Sequence, residues 1–224
     1  MQKGPTSSPA SHRGFPHATA WAPPGRLAGN SIVASAQKCY EGDVPDLTSA
    51  RDATSLETPR LLLRRWQSDD LDGVAAVNAQ PEVMRYIHDG RTLDRAATAE
   101  RLATYRRHWD EHGFGLYAVE IKETGDLAGF TGLAVPTFLP EIMPAVEIGW
   151  RLGRAYWGRG LATEAARAVV AHARAELGLR RLVSIHIVGN EASARVMVKL
   201  GMSLARETVQ PDTGRQVRVY AMDL

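Results

Sequence analysis

The sequence predicts an α/β protein whose central sheet is mixed but mostly antiparallel, with helices on its flanks. Two observations carry this. The order of elements is strand, helices, three strands, helix, strand, helix, two strands, so most consecutive strands meet as hairpins or meanders. One long helix with an apolar face, Leu161 to Leu177, lies between two strands and supplies a single central strand–helix–strand crossover. No internal repeat is present.

Taken in order, Leu61-Leu62-Leu63-Arg64-Arg65 reads as a first strand. Ser68-Asp69-Asp70 opens a helix, with Ser68 as its N-cap and acids in the first turn. Leu71, Val74, Ala75 and Val77 form its apolar face. Pro81 to Ile87 predicts a second, short helix, and Thr92 to Trp109 a longer one that is polar on one side. Phe114 to Ile121 and Leu127 to Val135 alternate as strands around the turn Lys122 to Asp126. Pro136 to Pro144 reads as a loop with exposed apolar residues. Ala145 to Leu152 is a fourth strand. The long helix stops at Gly178. Arg181 to Val188 is a fifth strand, and Ser193 to Leu200 a helix closed by Gly201. Ser203 to Gln210 and Gln216 to Asp223 make a last hairpin around Pro211-Asp212-Thr213-Gly214.

Composition narrows the function classes. An apolar fraction of 44% and a charged fraction of 23% are ordinary for a globular chain. A net charge of +2 points to no nucleic-acid partner. Cys39 is the only cysteine, so no intrachain disulfide or cysteine-based zinc site can form, which fits a reducing compartment or a disulfide-free protein; the expected setting is cytoplasmic. The histidines show no HExxH-like spacing, so no metal is expected. No apolar run approaches the roughly 18–20 residues of a membrane span. Residues 1–55 are rich in Ser, Pro, Gly and Ala and lack periodicity. They are expected to be a disordered N-terminal extension, with a transit peptide as the alternative. The folded domain is expected over residues 56–224.

Two segments carry chemistry. In Val146-Glu147-Ile148-Gly149-Trp150-Arg151-Leu152 followed by Tyr156-Trp157-Gly158-Arg159-Gly160-Leu161-Ala162-Thr163-Glu164-Ala165, a strand runs into a glycine turn that opens a long helix. Glycines two apart let the backbone turn tightly and expose N–H groups in front of the helix dipole, which suits a phosphate. A plain strand–helix turn using glycine only for positive φ is the other reading. A dinucleotide fingerprint would require glycine where Thr163 stands, and a P-loop would require Gly-Lys-Ser/Thr. The second segment is Asn190 to Met202, in which Asn190 and Ser193 stand at a helix start directly after a strand; both are also ordinary N-cap residues.

Together, Trp157-Gly-Arg-Gly-Leu-Ala-Thr-Glu-Ala and Asn190-x-x-Ser193-x-Arg195-Val-x-x-Lys199-Leu-Gly201-Met resemble the GCN5-related N-acetyltransferases (GNAT). The opening Thr58-Pro59-Arg60-Leu61-x-Leu63-Arg64 is similar to the RimJ/RimL branch, the ribosomal-protein alanine N-acetyltransferases. The resemblance spans roughly residues 56–224. It implies a sheet splayed between the fourth and fifth strands and acetyl-CoA as co-substrate. The coenzyme's pyrophosphate would be held by the amides of Trp157, Gly158, Arg159, Gly160, Leu161, Ala162 and Thr163. Its pantetheine arm would pair with Ile148 and Trp150, whose shared parity turns their backbone to one edge, and with Asn190.

It further implies direct attack of a neutral amine on the thioester, with a backbone N–H of residues 146–150 stabilising the oxyanion. Glu147 is the expected base and His186 the runner-up. The tyrosine that many members use to protonate the thiolate is replaced by Met197, which leaves Ser193 or water as the acid. The acceptor is a protein N-terminus or a small-molecule amine, with the Thr92–Trp109 helix and the loop at Glu141 bordering it. A non-catalytic acyl-CoA-binding module is the competing reading. A monomer or homodimer fits either.

Overall fold

The computed structural model describes residues 55–224; the expectation for residues 1–54 lies outside them. Eight strands form one sheet: β1 (Ser55–Glu57), β2 (Leu61–Arg64), β3 (Leu116–Ile121), β4 (Leu127–Ala134), β5 (Glu147–Leu152), β6 (Arg181–Ile187), β7 (Ser203–Val209) and β8 (Gln216–Asp223). Their spatial order is β1-β2-β3-β4-β5-β6-β8-β7, and only the β5–β6 pairing is parallel. The mixed, mostly antiparallel sheet is therefore present. The one strand missing from the sequence reading is β1, three residues that pair with β2 and carry no pattern of their own.

Among the described residues five α-helices flank the sheet: α1 (Asp70–Asn78), α2 (Pro81–Met84), α3 (Arg95–His112), α4 (Leu161–Ala175) and α5 (Glu191–Lys199). The start of α1 differs from expectation. Asp69, not Ser68, occupies the N-cap position without a side-chain cap. Asp70 instead turns back, accepting from the Gln67 N–H at 2.7 Å and pairing with Arg64 at 2.8 Å. A buried carboxylate with an arginine partner outweighs the propensity of Ser68. Helix α3 starts where Asp94 accepts from the Ala97 N–H at 2.8 Å, and it stops at Gly113 in the left-handed region.

The two faces of the sheet are filled differently. Ile148, Leu182 and Met197 share one cluster with Leu161, Ala165 and Val169 of α4. On the other face Trp66, Val74, Leu102 and Phe130 pack under α1 and α3. Val183, Ile187, Val217 and Val219 continue that second face and meet Leu139 and Tyr86. The loop at residues 136–144 is thus not simply solvated: Leu139 is fully buried, while Phe138 stays exposed.

Strands β5 and β6 pair at a single position, the first residue of β5 against the third of β6. Glu147 aligns with Val183, the Val183 N–H bonds to Val146 O at 2.9 Å, and no further pair follows. Beyond that point the strands part. This is the splay expected between the fourth and fifth strands, which are β5 and β6 once β1 is included.

Candidate active site

The site is built around this opening. Strand β5 alternates, so Val146, Ile148 and Trp150 turn their backbone N–H and C=O groups toward β6. Two contacts fix the direction: Val146 O takes the Val183 N–H, and Ile148 O takes the Ser184 hydroxyl at 2.8 Å. Gly149 faces the other way, its carbonyl accepting from Thr131 Oγ1 at 3.0 Å. Trp150 shares this parity and turns its backbone to the gap, whereas Ile148, expected to do the same, has its carbonyl taken by Ser184. Leu152 O is closed off by the indole Nε1 of Trp157 at 2.7 Å. The Trp157 side chain, with the Arg154 guanidinium 4.9 Å from its ring centre, thus seals the end of the strand.

The turn after β5 places Gly158 at φ 74° and Gly160 at φ 77°, both in the region that favours glycine. Gly160 is the N-cap of α4 and has no side-chain cap. Among the described residues the amides of Gly158, Arg159, Gly160, Leu161, Ala162 and Thr163 find no acceptor. A Cβ at Gly158 would meet nothing within 4 Å, so the space in front of the turn is open. Helix α5 is the opposite case. Asn190 Oδ1 accepts from the Ser193 N–H at 3.3 Å, so its side chain caps its own helix and has only its Nδ2 to offer elsewhere. An uncapped first turn behind open glycines is a ready anion site, and a capped one is not.

The turn is braced from the chain's start. Arg60 Nη1 donates to Arg159 O at 3.0 Å. Its Nε and Nη2 hold Glu164 Oε2 at 2.7 and 2.6 Å. The Thr58 hydroxyl donates to Glu164 Oε1 at 2.7 Å. Desolvation opposes the charged form of Glu164, but the hydrogen bonds from Thr58 and Arg60 win and hold it below the ordinary carboxylate value. A pocket of about 780 Å³ opens beside the turn, lined by Arg60, Gly160, Thr163, Glu164, Arg167 and Lys199.

Glu147 and His186 stand on opposite faces of the sheet. Glu147 aligns with Val183 and so projects to the α1/α3 face, whereas His186 has the parity of Leu182 and projects toward α4 and α5. Glu147 keeps an edge in contact with solvent, but its carboxyl is largely surrounded by protein. That desolvation pushes its pKa up to about 8, partly opposed by the Ile185 N–H. His186 is buried, its Nδ1 lies 3.0 Å from Ile187 O, and its Nε2 has no partner. Burial lowers its pKa, so it is neutral at pH 7. Ser193 is half-buried in the first turn of α5. Met197, where an acid would be looked for, is a fully buried core residue.

Three residues that the sequence reading did not single out stand here. Ser184, which bonds to Ile148, bore no signal beyond being a polar residue in an apolar strand. Tyr86 packs on the Glu147 face close to Gly189, where a Cβ would lie 3.7 Å from its hydroxyl. Arg151 was visible as a second charge, besides Glu147, in a strand of mostly apolar residues. Glu141, read as a charge that could attract a cationic amine or simply a solvated loop charge, lies 3.4 Å from Arg206. Among the described residues no three metal-ligating side chains converge, and no helix is long and apolar enough to cross a membrane.

Comparison with known proteins places this geometry. Residues 60–203 match the family described as the acetyltransferase (GNAT) domain. An N-acetyltransferase of uncharacterised substrate from Bacillus subtilis, YoaA, is 27% identical over 75% of this chain and 95% of its own length. An acetyltransferase structure from Agrobacterium tumefaciens is 30% identical, covers 74% of this chain and 93% of its own, and superposes with a TM-score of 0.62. RimL, a ribosomal L7/L12 α-N-protein acetyltransferase solved with coenzyme A, shares the fold (TM-score 0.62) at 15% identity, over 76% of this chain and 98% of its own. The match over residues 60–203 shows that the chain belongs to the GNAT acetyltransferase family.

Proposed function

We propose that the protein transfers an acetyl group from acetyl-CoA directly to a primary amine while both substrates are bound. One observation carries this reading: six unpartnered amides, Gly158 to Thr163, stand at the end of a strand whose free edge leads back to Glu147. The amides fit a pyrophosphate, and in the pocket beside them Arg167 and Lys199 stand with Glu57 and the Arg60–Glu164 pair, where the two cations free among the described residues fit the nucleotide end of the coenzyme. The backbone of Trp150, facing the gap, fits the amides of a pantetheine arm. Asn190 adds its Nδ2 to that arm.

Acetyl-CoA supplies an activated thioester, and the protein's groups place and deprotonate the amine. The amine nitrogen bonds to the carbonyl carbon, and a backbone N–H of the strand at 146–150 holds the oxyanion, that of Trp150 being the one beyond the pairing with β6. Glu147 takes the amine proton, directly or through a water; a carboxyl with a pKa of about 8 is a base matched to an amine near neutral pH. His186 faces the wrong side of the sheet to share this role. The carbon–sulfur bond then breaks, and the thiolate takes a proton from Ser193 or water.

The acceptor stands on the α1/α3 face, beside Glu147 and Tyr86. The opening Thr58-Pro59-Arg60 and Trp157 favour the RimJ/RimL branch, hence a protein N-terminus, with small amines as the second class. The setting is the cytoplasm, and a monomer or homodimer serves equally. Thiol release from acetyl-CoA across a panel of peptides and small amines tests the reading. Amine-dependent release supports it. Tight acetyl-CoA binding without release for any amine would leave only a binding module.

A further inference from the structure

Arg151 is a cation without a counter-charge. Its Nη1 donates to Asn78 Oδ1 at 2.8 Å, and its guanidinium lies 4.9 Å from the centre of the Phe130 ring. Its Nε is buried with no partner, and among the described residues no carboxylate pairs with it. The nearby charge is Arg101, of the same sign. Asn78 is itself fully buried and anchored to Thr98. Neutral partners and an aromatic face recompense a dry guanidinium only in part. The arrangement is one anion short.

Its position gives that anion a meaning. Glu147, Gly149 and Arg151 lie on one face of β5. Gly149 stands between them, and a Cβ there would meet nothing within 4 Å, so the sheet face between the carboxyl and the guanidinium is open. Four residues of strand separate the two Cα atoms by about 13 Å, less the reach of both side chains. A short molecule with an amine at one end and an anion at the other matches that trough.

Building on the acyl-transfer reading above, we infer that Arg151, held by Asn78, receives a carboxylate of the acceptor, so that the preferred substrates are amines that also carry a carboxylate several bonds away. The guanidinium meets the carboxylate through Nη2, the end of its fork that Asn78 leaves free. The amine end then lies over Gly149 beside Glu147. Arg151 is a specificity residue and takes no part in proton transfer.

The test compares 6-aminohexanoate with 6-aminohexanamide, which differ only in the charge at the far end. For the native protein kcat/KM should favour the carboxylate by roughly 10- to 100-fold, chiefly through KM, as expected for one charged hydrogen-bonding pair. Because the ratio is taken within each enzyme, a general loss of activity cancels. Arg151→Gln should bring it near one, and Arg151→Lys should keep part of it. Asn78→Asp leaves Arg151 in place but supplies the missing anion; it too should erase the preference. Calorimetric binding of 6-aminohexanoate to the CoA-loaded protein reads the same contact without turnover, and separates failure of this inference from failure of acyl transfer. A native ratio near one, or a ratio and affinity unchanged in both Arg151→Gln and Asn78→Asp, would overturn it.

Discussion

Ser184 Oγ donates to Ile148 O at 2.8 Å, across the place where β5 and β6 cease to pair. Ser184 is buried, so this side chain does for Ile148 what a strand neighbour does elsewhere in the sheet. It keeps the splay open without leaving a dry carbonyl.

Ser184→Ala should therefore destabilise the protein by about 1–3 kcal/mol, the usual cost of a stranded buried acceptor. Urea unfolding measures it. The loss should shrink in saturating acetyl-CoA, because a pantetheine N–H can take over Ile148 O. An equal loss with and without acetyl-CoA would show that the arm does not reach that carbonyl.

Arg60 and Glu164 supply the next expectation. A carboxylate in the first turn of α4 suits the helix dipole but would repel a pyrophosphate held there. Arg60 screens it at 2.6 Å. Arg60→Ala should raise the acetyl-CoA dissociation constant several-fold at low salt, and Arg60→Ala with Glu164→Gln should recover most of it. If the double variant binds no better than the single one, Arg60 meets the coenzyme itself.

Gly160 tests the turn. Its φ of 77° disfavours any residue with a Cβ, although the nearest atom to such a Cβ, Arg60 Nη2, would be 3.7 Å away. The obstacle is thus backbone strain, of about 1–2 kcal/mol for most side chains, and not a clash. Asn tolerates this region better than Val. Gly160→Asn should keep the fold nearly intact yet lower acetyl-CoA affinity by filling the space before the amides, and Gly160→Val should lose both. Unchanged affinity in Gly160→Asn would remove the turn from the phosphate site.

Much of this architecture was legible in the sequence because it is written in local pattern. Glycine spacing marked the turn at 157–162, and apolar periodicity marked α4. Parity along Val146 to Leu152 told which backbone groups face the gap. What was hidden depends on tertiary placement. The three residues of β1 become a strand only through β2. Asp70 overrides Ser68 because Arg64 waits beside it. Asn190 turns inward to cap α5, and Leu139 is buried from within a loop whose composition reads as surface. Ser184 looks like any strand serine until the strand beside it turns away. That Glu147 and His186 face opposite ways follows from a register, Glu147 against Val183, that no single strand reveals.

Glu147 gives the sharpest pH expectation. Its folded pKa is raised from 4.5 to about 8 by desolvation, so the folded protein holds this proton more tightly than the unfolded chain does. Ionising it in place opposes folding. The penalty is absent below the ordinary value, grows as pH rises above it, and is complete once pH passes about 8. Glu147→Gln removes a titrating group of similar shape, so the variant should gain stability relative to the native protein as pH is raised through that window. Thermal melts at successive pH values read the difference. Activity should move the other way. As a base, Glu147 acts only when ionised, so native kcat/KM should climb steeply through about pH 8 and rise more gently above it while the acceptor amine still loses its own proton. Glu147→Gln should lower kcat by roughly 10²–10⁴-fold near neutral pH, with acetyl-CoA affinity nearly constant. That deficit should narrow at high pH, where the acceptor amine arrives already deprotonated. If Glu147→Gln keeps full activity throughout while His186→Gln does not, proton transfer belongs to the face of the sheet covered by α4 and α5, and the acceptor binds there too.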